Sequence, residues 1–195
     1  MRSAGIATLK AAQAGDDKGA LVALDGHRLL CGHRRGPYGV LRWSLEVERW
    51  LAEAIPGYAE DGEWYVGRPL LVTANDYDMG LFNGDTGVIV NGPDGVRAAF
   101  ARGETPALYS PVRLDSIQTV HAMTVHRAQG SQFKSVSFVV PPPESPLLTR
   151  ELLYTAVTRA TDQVHVIGAE AAIRRAVARP ANRASGLRNR LAPSS

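Results

Sequence analysis

The sequence has a single cysteine, Cys31, among its 195 residues. One thiol excludes an intramolecular disulfide and a multi-cysteine zinc site. No apolar run approaches the ~20 residues that a transmembrane helix needs, and the N-terminal stretch lacks the apolar core of a signal peptide. His121 and His126 are five residues apart with no third ligand nearby, so no metal site is expected. These absences predict a protein of the reduced cytoplasm with no membrane partner.

The chain is also poor in lysine. Only three of its 22 basic residues are lysines, and the formal net charge is +3. The arginine bias is explained by GC-rich codon usage or by selection for phosphate binding. Beyond Asp162, six arginines face one acid, Glu170. This tail either contacts a nucleic-acid backbone or is a solvated helix followed by a frayed terminus.

Apolar patterning predicts an α/β fold. Short apolar runs at 28–33, 135–140 and 163–168 are typical of buried parallel strands. The predicted helices cover 5–25 (one or two, with a break at Gly15-Asp16), 40–54, 124–129, 149–161 and 169–178. From 66 to 120, short β-type runs alternate with turn signals, which indicates a small antiparallel barrel or meander. We therefore predict a parallel sheet with helices on both faces, interrupted by a β insertion. Functional loops are expected at the carboxyl edge of the parallel strands.

The segment RELLYTAVTRA (150–160) combines an apolar helix face with an arginine near the helix end. Thr149 is suited to the N-cap position. Arg159 is long and permanently charged. It is suited either to reaching a γ-phosphate across an interface or to capping the C-terminus of its own helix.

The segment TVHRAQGSQF (124–133) places three polar side chains on one short turn. Thr124 is suited to capping, while Val125 and Ala128 are expected to pack inward. The polar side chains are His126, Arg127 and Gln129. Such groups, with exposed backbone amides, suit a phosphate backbone or a ribose, although a capped helix that ends at Gly130 gives the same pattern.

In this order and spacing, the two segments resemble motifs V and VI of the RecD family, the alpha subunit of exodeoxyribonuclease V and its relatives among superfamily 1 helicases. Three further stretches are similar to the same family: LLCGHRRGPYGV (29–40), GRPLLVTANDYDMGLFNGDTGVIV (67–90) and PPPESPLLTRELLYTAVTRA (141–160). The resemblance covers roughly residues 20–170.

The resemblance implies part of a RecA-like motor domain. Residues 1–64 correspond to the first part of the second motor domain, 65–121 to a small β-barrel insertion and 122–180 to the remainder with motifs V and VI. Residues 181–195 are expected to form a basic, disordered tail.

The resemblance also assigns site residues. Arg159 matches the motif VI arginine that contacts the γ-phosphate. Gln129, Gly130 and Gln132 match the stretch that couples DNA contact to the nucleotide, with Gln132 at a position where the family often has Glu. The residues expected to bind DNA are Thr124, His126 and Arg127 in motif V, and Asn75, Tyr77, Phe82 and Asn83 in the insertion. Tyr77 and Phe82 either stack on bases or fill the core of the barrel.

A phosphate loop of the form G-x-x-x-x-G-K-S/T is absent from the sequence. By resemblance, that loop and the magnesium-binding acids belong to an N-terminal RecA-like ATP-binding half upstream of Met1. ATP and Mg²⁺ are therefore expected only together with that half, and the chain alone is expected to be inactive.

The function that the resemblance implies is the C-terminal half of an ATP-dependent 5′→3′ DNA helicase of recombination and repair. Its partners would be single-stranded DNA, the ATP-binding half and other exodeoxyribonuclease V subunits. The alternatives are a non-catalytic single-stranded-DNA-binding or regulatory module and an inert remnant of a disrupted helicase gene.

Overall fold

The computed structural model describes residues 2–181. The basic tail predicted for residues 181–195 therefore lies, beyond Ala181, outside the described residues. In the part of the chain that is described, no helix is both long enough and apolar enough to cross a membrane.

The first layer is a four-stranded parallel sheet in the order β7-β1-β8-β9. Its strands are β1 (His27–Cys31), β7 (Ala122–Thr124), β8 (Phe133–Val139) and β9 (Ala160–Ile167). β1 is central and pairs in parallel with both β7 and β8. The three predicted parallel strands are confirmed, and β7 is a fourth strand that the apolar pattern did not predict.

Helices cover both faces of this sheet, as predicted. The helices are α1 (Arg2–Gln13), α2 (Asp17–Asp25), α3 (Val40–Ala54), α4 (Arg150–Val157) and α5 (Glu170–Ala178). Leu30 and Phe138 face α4 and α5 and pack with Ala156 and Ala172. Leu29 and Cys31 face the other way, in one core cluster with Leu51 of α3. Because side chains alternate along a strand, the apolar run of β1 contributes to both cores.

The second layer is a five-stranded antiparallel sheet in the order β5-β4-β3-β2-β6. Its strands are β2 (Pro69–Val72), β3 (Thr86–Gly92), β4 (Gly95–Phe100), β5 (Ala107–Tyr109) and β6 (Ile117–Thr119). All five lie between β1 and β7 in the chain, so the sheet is an insertion. Within residues 2–181 no strand pairing joins β5 to β6. Of the small barrel or meander predicted for this region, the barrel is not confirmed.

Two predicted helices differ from the structure. Residues 125–130 form turns rather than the predicted helix at 124–129, because residues 122–124 continue the sheet as β7. One helix-type hydrogen bond remains, from Ala128 N to Thr124 O at 3.1 Å. The helix predicted at 149–161 ends at Val157, because Ala160 already pairs with Phe133 in the sheet.

Helices α1 and α2 pack between the parallel and the antiparallel sheet. Ala12 of α1 and Leu21 of α2 pack on Val88 and Ala99 of the antiparallel sheet, while Leu9 packs with the parallel sheet. His121 lies at the junction and is held near Tyr65, with 3.5 Å between Tyr65 Oη and His121 Nε2. Burial, with a smaller contribution from Arg28, lowers the pKa of His121 to about 4.

This shift predicts that stability depends on pH. His121 binds its proton more weakly in the folded than in the unfolded chain, so its contribution is complete above about pH 6.5 and is lost as the pH falls toward 4. The loss amounts to about 3 kcal/mol in the free energy of unfolding. Urea unfolding of wild type and His121→Gln across this range should give a flatter curve for the variant. His126→Gln, at an exposed position, is the control, and parallel curves for wild type and His121→Gln would contradict the prediction.

Candidate functional site

Arg159 lies where α4 turns into β9, at the amino-terminal edge of the parallel sheet. Its Nε donates to Thr155 O in the last turn of α4 at 3.2 Å. Its Nη1 donates to Ser131 O at 3.1 Å, and its Nη2 to Thr158 Oγ1 at 3.3 Å. The interpretation that Arg159 caps the C-terminus of its own helix is therefore confirmed by the bond to Thr155 O. These bonds use three of the five N–H groups of a guanidinium, so two remain for a further acceptor.

The two motif-bearing segments meet through Arg159. Besides the bond from Nη1 to Ser131 O, Phe133 N donates to Arg159 O at 2.8 Å. Ser131 and Gln132 precede the start of β8, and Arg159 precedes the start of β9. This contact lies at the amino edge of the sheet, opposite the carboxyl edge at which the sequence predicts functional loops.

Thr124 ends β7 at the opposite, carboxyl edge. Its Oγ1 accepts a hydrogen bond from Arg127 N at 3.2 Å, so the predicted capping role is confirmed for a turn rather than a helix. Val125 and Ala128 are buried, as predicted. The other residues of the turn are exposed, as is Gln132 after it: His126, Arg127, Gln129 and Gly130.

The chain then crosses the face of the sheet from its carboxyl to its amino edge. The reversal before Ser131 needs a left-handed residue, and Gly130 supplies it with a φ of 89°. The crossover and α4 enclose a groove of about 500 Å³. Its walls include His126 and Gln129 on one side and Thr149 and Thr155 on the other. The groove can offer imidazole, amide and hydroxyl groups to a polar ligand.

The four insertion residues form one cluster at the tip of the β2–β3 connection. Asn75 Nδ2 donates to Tyr77 Oη at 3.1 Å, and Asn75 Oδ1 accepts from Asn83 N at 2.9 Å. The rings of Tyr77 and Phe82 meet edge to face, with centroids 6.3 Å apart. Tyr77 is 78% exposed and Phe82 47% exposed. The alternative that these aromatics fill a barrel core is therefore wrong.

Acidic side chains beside this tip are largely engaged by the protein. Asp76 accepts from the backbone N–H groups of Asp78 and Met79. Asp85 accepts from Phe82 N and forms an ion pair with Arg102. Asp78 is exposed. Since local bonds and Arg102 offset two of these three carboxylates, repulsion of a polyanion near the rings is reduced.

We call the turn at residues 125–130 the motif V turn. Among the described residues, it is linked to the tip of the β2–β3 connection only through β6 and β2. Arg127 Nη1 donates to Gln118 Oε1 of β6 at 3.4 Å. β6 pairs with β2, which leads into the tip. Gln118 and Ser131 were not predicted as site residues. Ser131 contributes only its carbonyl, which no sequence signal identifies, and Gln118 lies on a three-residue strand.

The site fits a bound nucleotide only in part. Arg159 has N–H groups that suit a phosphate oxygen. Within residues 2–181, no group of three or more His, Cys, Asp or Glu side chains could hold a metal ion.

Part of the chain is similar to a known protein domain. Residues 119–167 match the model of the UvrD-like helicase C-terminal domain. This range contains β7, the crossover, α4 and β9, and hence Thr124 and Arg159. The carboxyl-terminal part of the chain is therefore similar to a helicase domain.

Similar relatives narrow the family. The RecBCD enzyme subunit RecD of Mycolicibacterium smegmatis is 55% identical over 185 residues, which cover 95% of this chain and 33% of the relative. The ATP-dependent RecD2 DNA helicase of Deinococcus radiodurans is 31% identical over 78% of this chain and 21% of its own length. The chain is thus RecD-like and corresponds to the C-terminal portion of a superfamily 1 helicase. It spans about a third of the length of the first of these relatives.

Among solved structures, a Bacteroides Pif1 helicase in complex with ADP-AlF3 and ssDNA is similar over 86% of this chain and 50% of its own. The TM-score is 0.45 and the sequence identity 13%. A likeness this distant supports no conclusion about the chain.

The bonds of Arg159 predict a local structural role. Arg159→Ala removes the donors to Ser131 O and Thr155 O, and hydrogen bonds from a charged group are worth about 1.5–3 kcal/mol. Amide hydrogen exchange in residues 129–133 should therefore become faster by roughly tenfold. Arg174→Ala, which changes an exposed arginine of α5, should leave that exchange within about twofold. Equal exchange in Arg159→Ala and wild type would show that Arg159 does not hold the crossover.

Proposed function

We propose that the chain is the C-terminal half of a RecD-like, ATP-dependent 5′→3′ DNA helicase that acts in recombination and repair in the cytoplasm. The single observation that carries the proposal is the contact through Arg159, which joins the segment that matches motif V to the segment that matches motif VI. A RecD-like relationship over 95% of the chain supports it.

In this proposal Arg159 contacts the γ-phosphate of ATP held by an N-terminal RecA-like half. That half supplies the phosphate loop and the Mg²⁺ ligands. Thr155 O and Ser131 O fix the guanidinium before the nucleotide arrives, and a fixed cation stabilises transition-state charge without reorganising. The two remaining N–H groups of Arg159 are the proposed donors.

In this proposal, the effect of DNA binding is passed to Arg159 through the crossover. Thr124, His126 and Arg127 contact the phosphate backbone, and Gln129, Gly130 and Gln132 carry the response to the nucleotide. The support is that the exposed residues Gln129, Gly130 and Gln132 lie beside Ser131 in the chain, and the Ser131 carbonyl accepts a hydrogen bond from Arg159. A shift of the turn on DNA binding therefore displaces the acceptor that positions the guanidinium.

The insertion, which corresponds to a small barrel in this proposal, grips single-stranded DNA with Asn75, Tyr77, Phe82 and Asn83. Exposed aromatic rings stack on bases of any sequence. The hydrogen bonds of Asn75 to Tyr77 and Asn83 order the tip in advance, which lowers the entropy cost of binding. Other exodeoxyribonuclease V subunits are proposed as further partners.

A graft tests the arginine role. The aligned 185 residues of the Mycolicibacterium smegmatis RecD are replaced by this chain, and DNA-stimulated ATP turnover is measured. Arg159→Ala should lower turnover by ~10³-fold or more. Arg159→Lys should recover little, because a point charge does not reproduce the guanidinium fork. Arg174→Ala, which removes an exposed arginine of α5 outside the proposed site, serves as the control and should keep turnover. Turnover at the wild-type rate in Arg159→Ala would refute the role.

Binding of the chain alone to labelled oligo-dT, followed by fluorescence anisotropy, tests the DNA contacts. Tyr77→Ala and Phe82→Ala should each weaken binding by roughly tenfold, and the affinity should fall steeply as salt rises. Tyr154→Ala, which removes a tyrosine 67% exposed on α4, is the matched control. Equal loss in all three variants would contradict stacking at the tip.

The exposed aromatic tip also favours a second candidate, a single-stranded-DNA-binding module without catalysis. The two tests separate the candidates. Tight oligo-dT binding by the chain, together with an inactive but folded graft, would support the second candidate over the helicase half.

A further inference from the structure

An open cleft lies beside the tip of the β2–β3 connection, between that connection and the segment that leads into β6. Residues 74–79 line it on one side and residues 114–117 on the other, and we call it the tip cleft. Its volume is about 350 Å³, within the range of ~300–1,000 Å³ that small-ligand pockets occupy. Tyr77, whose ring is exposed, is part of the lining. The tip cleft is separate from Arg159 and from the motif V turn.

The buried part of this lining is apolar. Val72, Leu81 and Leu114 are buried and belong to the core cluster of the antiparallel sheet. Met79 and Ile117 are partly buried and pack against the same cluster. Pockets for small ligands combine such an apolar surface with a few polar groups that fix the orientation of the ligand. The tip cleft therefore has a surface on which a flat, uncharged ring can lie.

Hydrogen bonds hold the two sides of the tip cleft in place. Thr73 N and Thr73 Oγ1 both donate to Ser116 O, at 2.8 Å and 3.0 Å, and so join one side to the other. Within the first side, Asp76 and Leu81 exchange two backbone hydrogen bonds, at 2.7 Å and 2.9 Å. A site whose walls are ordered before the ligand arrives binds at a lower entropy cost.

Two free carboxylates belong to the lining of the tip cleft. Asp78 and Asp115 are exposed, and within residues 2–181 neither carboxylate accepts a hydrogen bond or forms an ion pair. Among the described residues, no arginine or lysine lines the tip cleft. Ionised carboxylates only accept hydrogen bonds, and without a cation beside them they repel a phosphate. The tip cleft therefore suits an uncharged group that donates N–H.

The DNA bases differ in the group that they present to a carboxylate. Cytosine has an exocyclic N4 amino group, which aspartate accepts from in base recognition, whereas thymine has the acceptor O4. An O4 atom beside a carboxylate gains no hydrogen bond, and both acceptors lose water. Stacking on an aromatic ring such as Tyr77 tolerates every base. The two carboxylates are therefore the groups that can discriminate between bases.

We propose that the tip cleft binds one unstacked base of single-stranded DNA and selects a base with an exocyclic amino group, cytosine over thymine. This inference rests on the proposed contact between the tip and single-stranded DNA. The base contacts the Tyr77 ring and the apolar lining around Leu114, and Asp78 and Asp115 accept from its amino group. The phosphates stay in solvent outside the tip cleft, away from the two carboxylates.

Fluorescence anisotropy with labelled oligo-dC and oligo-dU of equal length tests the selection. Uracil has the O4 of thymine without its methyl group, so the comparison with cytosine isolates the exocyclic group. The chain should bind oligo-dC roughly tenfold more tightly than oligo-dU. Asp78→Asn and Asp115→Asn should each lower this ratio to about threefold or less, because an amide also donates to O4. Asp94→Asn, which removes an exposed carboxylate from the β3–β4 turn, is the matched control and should keep the ratio.

The ratio of the two affinities separates this inference from the proposed DNA contact, because the affinity for oligo-dU reports that contact alone. Equal binding of both oligomers by wild type, as expected if the tip cleft instead receives a basic side chain of a protein, would overturn base selection and leave the DNA contact standing. Binding of neither oligomer would overturn both. A preference for oligo-dC that Asp78→Asn and Asp115→Asn both retain, or that Asp94→Asn loses equally, would overturn the assignment to the tip cleft.

Discussion

The pairing of β1 on both of its edges is the constraint on which the rest of the structure depends. β1 is parallel to β7 on one side and to β8 on the other, and parallel neighbours require a crossover. The crossover from β1 to β7 is the segment that contains α3 and the antiparallel sheet. The chain from β7 to β8 must then cross the sheet face, which brings Ser131 to the amino edge beside Arg159.

This arrangement gives the crossover two anchors of different kinds. At one end, Thr124 belongs to a strand and Arg127 contacts Gln118 of the antiparallel sheet. At the other end, Ser131 O accepts from Arg159. Hydrogen bonds therefore tie the crossover to the antiparallel sheet near one end and to the parallel sheet at the other.

Long periodic segments could be predicted from the sequence, and short or tertiary features could not. Helix α3 shows a repeated apolar face and was predicted with both of its ends, Val40 and Ala54. β7 has three residues, too few to display a period of two. The turn after it contains one hydrogen bond of the type found in an α-helix, which explains why its sequence resembles a helix. The burial of Arg28 and the exposure of Tyr77 depend on which elements pack beside them. Thr124 and Arg159 were predicted as site residues because their neighbours resemble known motifs, whereas the Ser131 carbonyl that accepts from Arg159 carries no side-chain signal.

The long insertion between β1 and its first neighbour also has a consequence for synthesis. β7 begins 91 residues after β1 ends. At roughly 5–20 residues per second, a ribosome makes that length in about 5–18 s. During this interval the apolar run of β1 has neither of its partner strands. Among the described elements, α1 and α3 are made before β7 and pack on one face of β1, so they can cover that face until β7 and β8 are made.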